Sequence, residues 1–193
     1  MNKVQINPFN KPTEIDKQLL DGVISQGDRV VDATCGNGHD TEYLANRVGD
    51  QGLVYAFDIQ KQALETTWKR LQQEGLHERV RLLNKGHEKL IEDVEGPVSC
   101  VMFNLGYLPG SDKKVVTEPQ NTIRAIEGAL SLLKAGGLLT IVLYPGHETG
   151  MIESQVVQDY LMRLDQTKFH TKKIISLNFK NNPPYLMAVL KNK

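Results

Sequence analysis

The sequence predicts an α/β fold: a doubly wound, Rossmann-like seven-stranded sheet with a terminal antiparallel strand. Three observations predict it. Short apolar runs of strand type alternate along the chain with segments whose apolar residues recur at helical spacing. The first apolar run ends in the Gly-rich turn "CGNG" at 35–38, as a buried parallel strand leading into a helix should. The last two runs are joined by a turn alone, which suits antiparallel neighbours.

The elements follow in order. A helix is expected over 13–25, opened by Thr13 and Asp16 in a capping-box-like pair, with Ile15, Leu19, Leu20, Val23 and Ile24 on one stripe. Strand one is "DRVVDA" (28–33), and a helix runs from His39 to Val48. Strand two is "LVYAF" (53–57). In "KQALETTWKRLQQ", Leu64, Trp68 and Leu71 stand at helical spacing, which assigns Trp68 to the core. Strand three is "RVRLL" (79–83), a short helix follows His87, and strand four is "VSCVMF" (98–103). The helix "NTIRAIEGALSLL" is expected to end at Gly136-Gly137 as a C-cap. Strand five is "LLTIVLY" (138–144), the last helix spans 151–164, and strands "KKIISLNF" and "YLMAVLK" are joined by the turn "KNNPP". At 193 residues, with no repeat or linker, the chain is expected to form one domain over 1–193.

Composition narrows the functional classes. An apolar fraction of 40% and a charged fraction of 24% describe an ordinary globular protein and exclude disorder. No apolar run approaches the ~18 residues of a membrane span, and the N-terminus lacks a signal-peptide core, so a cytoplasmic protein is expected. Cys35 and Cys100 fall in no metal-type spacing, and no metal is expected. Net charge is zero, but residues 163–193 hold seven Lys/Arg against the single acid Asp165. That basic stretch either meets phosphate or shields a strand edge.

Gly36 and Gly38 follow strand one, where the backbone turns sharply and a ligand can approach closely. A dinucleotide fingerprint needs glycine at 41, and Thr41 stands there, which argues against NAD. Asp58, twenty residues beyond Gly38, can accept both ribose hydroxyls of NAD or of S-adenosylmethionine. Asp32 at the end of strand one either faces the methionine ammonium or binds loop amides. After strand three, Gly86-His87-Glu88 offers either His87 or Glu88 to an adenine amino group.

Asn182-Pro183-Pro184-Tyr185 spells the Asn-Pro-Pro-Tyr signature of amino-group methyltransferases. In those enzymes the element follows the fourth strand, where this chain carries Asn104-Leu105-Gly106-Tyr107. Asn104 and Tyr107 are therefore the candidate catalytic pair. The stretch 182–185 reads as a hairpin turn whose Asn182 and Tyr185 can border the cleft.

With these residues assembled, the chain resembles class I S-adenosylmethionine-dependent methyltransferases. More narrowly it resembles a small bacterial family labelled rRNA methylases, members of which have been assigned as tRNA 5-aminomethyl-2-thiouridine methyltransferases. The resemblance covers nearly the whole chain and rests on "DATCGNGHDT", "AFDIQ", "GHE", "FNLGYLPG" with "SDK" and Thr117, and "YPGHETGMIES". It implies that Asn37, Asp40, Asp58, Gln60, His87 and Glu88 bind the cofactor, with Asn104 near the transferred methyl. Asp32, Thr34, Gly36 and Gly38 complete the expected cofactor set.

The reaction so implied is attack of an aminomethyl nitrogen on the sulfonium methyl, with positioning supplying most of the catalysis. Tyr107, Asp112 and His147 are candidate proton acceptors, and Lys113 and Lys114 candidate phosphate contacts. The expected partner is a tRNA anticodon loop, met by a homodimer. The alternatives are N-methylation of rRNA, a small amine or a protein, and a cofactor-binding module that transfers nothing. C5-pyrimidine methylation would need a cysteine beside the fourth-strand motif, where this chain has none.

Overall fold

The computed structural model describes residues 6–106 and 118–193. Thirteen named elements carry the fold. They are α1 (Pro12–Asp21), β1 (Arg29–Asp32), α2 (His39–Val48), β2 (Leu53–Phe57), α3 (Lys61–Gln73), β3 (Val80–Leu83), α4 (Leu90–Asp93), β4 (Val98–Leu105), α5 (Pro119–Leu132), β5 (Leu133–Leu143), α6 (Glu148–Leu161), β6 (Phe169–Ile174) and β7 (Tyr185–Lys191). The strands form a seven-stranded sheet in the order β3-β2-β1-β4-β5-β7-β6. Strands β1 to β5 are parallel, and β7 runs antiparallel between β5 and β6. The order reverses between β1 and β4, so a crevice opens beyond their carboxyl ends.

The central strands read as near-continuous apolar runs because both faces are covered. Alternate residues serve opposite layers. Val31, Tyr55, Phe57, Val101 and Phe103 pack in one core cluster with Leu90, Ile126 and Val157 of α4, α5 and α6. Val30, Val54, Ala56 and Met102 pack in the other with Leu20, Leu44 and Leu71 of α1, α2 and α3. Among the described residues, no helix is long and apolar enough to cross a membrane.

Several boundaries differ from the sequence expectation, each for a physical reason. Helix α1 begins at Pro12, the N1 position that proline favours, and Lys11 precedes it without a side-chain cap. The expected capping box does not form, because Asp16 is turned inward and fully buried. The helix also stops at Asp21, although Ile24 beyond it is still buried.

Trp68 is 40% exposed and lies edge-on to His77 instead of entering the core. The inward stripe of α3 is Leu64, Thr67 and Leu71, and position 68 sits on its border. Gly136-Gly137 is no helix cap. Helix α5 ends at Leu132, and the glycines occupy the irregular stretch between Leu133, opposite Val98, and Leu138, opposite Cys100. A Cβ at 137 would crowd the Ser99 and Lys134 carbonyl oxygens, so glycine lets β5 close onto β4.

Helix α6 starts at Glu148, three residues earlier than expected, because the His147 ring caps it by accepting from the Gly150 N–H. Strand β6 pairs from Phe169 and ends at Ile174, so 175–184 is a longer connection than the expected turn, with Asn181 and Asn182 in left-handed conformation.

Candidate active site

A cleft of about 890 Å³ opens at the carboxyl ends of β1, β2, β4 and β5. The turn after β1 forms its floor. Ala33 N–H donates to Met102 O and Cys35 N–H to Phe57 O, both at 2.9 Å, so this turn is stitched to the strands on either side. Gly36 and Gly38 take positive φ (51° and 80°). A Cβ at 38 would overlap the Thr67 side chain, whose hydroxyl donates to Gly36 O at 3.0 Å. The Asn37 carbonyl accepts from Arg70 Nε at 3.0 Å. The backbone therefore approaches α3 closely and leaves the cleft side open.

Asp58 stands at the end of β2. Its Oδ2 accepts from Gly36 N–H and its Oδ1 from Gln60 N–H, both at 2.8 Å. Each carboxylate oxygen keeps a further acceptor site for a diol. His87 lies 9% exposed on the same wall, with Nδ1 3.3 Å from the Ala33 carbonyl oxygen and its ring edge-on to Phe103. Burial lowers its pKa, so the ring is neutral at pH 7. A carbonyl can only accept, which places the proton on Nδ1 and leaves Nε2 as a bare acceptor. That Nε2 is buried without a protein partner and belongs to a residue lining the cleft, where a ligand amino group would satisfy it. The Glu88 carboxylate folds back over Gly86, where any Cβ would overlap it.

Asn104 is the last residue but one of β4, and its backbone N–H donates to Thr34 Oγ1 at 2.7 Å. Its Nδ2 donates to Asp40 Oδ2 at 3.2 Å, and Asp40 Oδ1 pairs with Lys17 Nζ at 2.8 Å. Thr34, Gly36, Asn37, Asp40, Asp58, Gln60, His87, Glu88 and Asn104 all line the one cleft.

Asp32 and Gly38 do not. Asp32 is 1% exposed, and its carboxyl is spent on Thr34 N–H at 3.1 Å and Thr41 Oγ1 at 2.6 Å. Burial first, then the nearby Asp40, pushes its pKa up to about 7. Asp32 thus braces the loop from behind, and Thr41, where a dinucleotide site would need glycine, is the hydroxyl that satisfies it.

Tyr107, Asp112, Lys113, Lys114 and Thr117 lie outside the described residues. Tyr185 is buried, with its hydroxyl on Ser154 O at 3.4 Å, so the tetrapeptide 182–185 does not form a second amino-group site. Tyr144 in the cleft lining and Lys17 outside it escaped the sequence reading. Tyr144 follows β5, and its ring packs so closely on Gly106 that a Cβ there would sit 3.2 Å from it. Burial, then Asp40 and Asp16, raises its phenol pKa and keeps it protonated. An aromatic at the carboxyl end of a predicted strand was the available signal. Lys17, on α1, carried none.

A doubly wound sheet with an antiparallel β7, a ribose-type carboxylate after β2 and an amide at the end of β4 defines the class I methyltransferases, which use S-adenosylmethionine. The donor set fits that cofactor: a braced carboxylate for the diol and an orphaned imidazole acceptor for the adenine amino group. Residues 54–190 match the family model described as "Putative rRNA methylase", and the chain belongs to that family. It is 43% identical over 160 residues to the chloroplastic tRNA (mnm(5)s(2)U34)-methyltransferase of Arabidopsis thaliana, covering 78% of this chain and 58% of that protein. The chain thus spans little more than half the length of that relative.

Among solved structures, a Clostridium thermocellum protein carrying the rRNA-methylase label superposes with a TM-score of 0.93 at 40% identity, covering 95% of this chain and 98% of that one. A Streptococcus mutans protein solved in complex with SAH gives 0.88 at 36% identity, covering 95% and 99%.

Proposed function

We propose that the chain methylates tRNA, transferring the methyl group of S-adenosylmethionine to the aminomethyl nitrogen of wobble 5-aminomethyl-2-thiouridine to give 5-methylaminomethyl-2-thiouridine. The observation that carries amino-group transfer is Asn104, anchored in the cleft by its backbone N–H on Thr34 and by its side-chain NH2 on Asp40. The choice of substrate rests on the name of the Arabidopsis thaliana relative.

When bound, S-adenosylmethionine supplies an electrophilic methyl on a sulfonium that leaves as a neutral thioether. The residues supply position. Asp58 accepts the ribose hydroxyls, and His87 Nε2 accepts from the adenine amino group. Asn104 Oδ1 accepts an N–H of the substrate amine and holds its lone pair toward the methyl, the orientation on which such a transfer mainly depends. A primary alkylamine is largely protonated at pH 7, and a cleft that desolvates it favours the neutral, nucleophilic form. After transfer the secondary ammonium releases its proton.

A wobble base is single-stranded, so presenting it costs little unpairing, and the Tyr144 ring, which packs on Gly106 in the same cleft, is a wall on which it can stack. Lys180 is exposed in the connection before β7 and suits backbone phosphate. A cysteine mechanism is disfavoured: burial pushes the Cys35 thiol up to about 12 and Cys100 well above its ordinary value.

The test is methyl transfer from labelled S-adenosylmethionine to tRNA from cells lacking this protein, with nucleoside mass spectrometry of the product. Label on the wobble aminomethyl nitrogen is the expected result. Cofactor binding without tRNA methylation would redirect the assignment to rRNA, a small amine or a protein.

A further inference from the structure

The hydrogen bonds at Asn104 begin outside the cleft. Lys17 reaches from α1 to Asp40 Oδ1 at 2.8 Å, and Asp40 Oδ2 accepts from Asn104 Nδ2 at 3.2 Å. A primary amide has two opposite ends, an NH2 that donates and an oxygen that accepts. Only the oxygen helps an attacking amine, by accepting one of its N–H groups and leaving its lone pair for the methyl. The NH2 end would donate to that lone pair and block it. A carboxylate accepts only, so Asp40 draws the NH2 end of Asn104 toward itself and leaves Oδ1 for the substrate. Lys17 donates only. It takes the other carboxylate oxygen and neutralises an Asp40 side chain that is just 14% exposed.

We infer that the Lys17–Asp40 pair is a positioning device that sets which end of the Asn104 amide meets the substrate nitrogen. This rests on the amino-group transfer proposed above. It gives Asp40 a role through Asn104, beyond lining the cofactor cleft, and it gives Lys17 a role in the reaction.

The geometry makes an unusual prediction. In Asp40→Asn, Lys17 attracts the oxygen of the new amide, whose NH2 then faces Asn104. Asn104 must answer with its oxygen and turn its NH2 to the cleft. Turnover on tRNA falls about 100-fold, as misplacing a reacting group does, a loss well beyond any fall in SAH affinity, the signature of an interaction made in the transition state. In the double variant Asp40→Asn/Lys17→Met, nothing holds the amide at 40, which can turn its oxygen back to Asn104. The double variant is therefore more active than Asp40→Asn alone, by about tenfold, a coupling of opposite sign to the loss expected from merely removing contacts.

The experiment measures kcat on tRNA and SAH affinity for wild type, both single variants and the double. It also records the side-chain 1H–15N pair of Asn104 in the SAH complex, identified by its loss in Asn104→Asp. That pair should shift in Asp40→Asn and return toward its wild-type position in the double variant. If wild type methylates tRNA but the two losses accumulate, the positioning role is wrong. If wild type leaves tRNA untouched, the substrate assignment fails, and the amide signal decides the positioning device by itself: a pair unmoved by Asp40→Asn overturns it, and a shift that reverses in the double variant supports it.

Discussion

Asp58 has both oxygens engaged by backbone amides, so it is held in place without help from a ligand. Its substitution tests the cofactor half of the site. If Asp58 holds the ribose as proposed, Asp58→Ala removes two charge-assisted hydrogen bonds, and SAH affinity measured by calorimetry should fall roughly 100-fold or more. The far-ultraviolet spectrum should be unchanged, because this is rim chemistry and not core packing. Undiminished affinity would place the ribose elsewhere. Asn104 tests the other half. Asn104→Ala should keep SAH binding and reduce kcat by about 10² to 10³, the effect of deleting one preorganised polar contact to the reacting group. Normal turnover in that variant would move the chemistry away from β4.

The loop between β1 and α2 shows how a backbone element builds the cleft. Gly38 is the N-cap of α2, adopts φ of 80°, and provides no side-chain cap. It is glycine for two reasons: the left-handed conformation, and the Thr67 side chain where a Cβ would go. Gly38→Ala should cost about 1–2 kcal/mol for the conformation alone. The overlap adds to that, and the melting temperature should fall by roughly 4 °C or more. A fall of only about 2–3 °C, what the conformation alone costs, would mean that Thr67 gives way freely. The "GHETG" stretch follows the same logic. His147 caps α6 with its ring, and a Cβ on Gly150 would strike both that ring and the Tyr144 carbonyl.

Two carboxyls buried between the sheet and its α1 and α2 layer couple the stability of the molecule to pH. Burial holds Asp16 at about 8 and Asp32 at about 7, with Asp40 raising both further. In the unfolded chain both release their protons near pH ~4. Between there and pH ~8 the folded state binds more protons than the unfolded state, so these groups make stability fall as pH rises, and the fall ends once both are ionised. Neither Asp16 oxygen has a partner within hydrogen-bonding distance, and Thr140 Oγ1 nearby is likewise unsatisfied. Asp16→Asn removes the larger ionisation. Its melting temperature should exceed that of wild type by about 4 °C or more at pH ~8.5 and match it near pH ~4. An equal difference at both pH values would show that Asp16 does not retain its proton.

Most of the architecture was legible because it is local. Apolar runs, helical spacing and the Gly-rich turn each report on a few neighbouring residues, and strands β2, β3 and β4 fell within a few residues of their expected bounds. The errors arose where a distant partner overrode the local signal. Trp68 lies on the edge of its stripe because sheet packing selects Leu64, Thr67 and Leu71. Gly136-Gly137 resembles a helix end, yet it serves the close approach of β5 to β4. Asp16 resembles a capping residue and is buried against β5.

The site divides in the same way. From the sequence alone came the class of fold and the cleft-lining residues of the glycine turn, Asp58, Asn104 and the pair His87 and Glu88. Each sits at a fixed distance along the chain from a strand end. Only the tertiary structure withdrew Asp32 from the cleft, selected Nε2 of His87 as the bare acceptor, and set Tyr144 against Gly106. It alone joined Lys17 to Asp40, and Asp40 to an asparagine 64 positions further on. Those contacts depend on how helices seat on a twisted sheet, a long-range packing outcome that no local periodicity encodes.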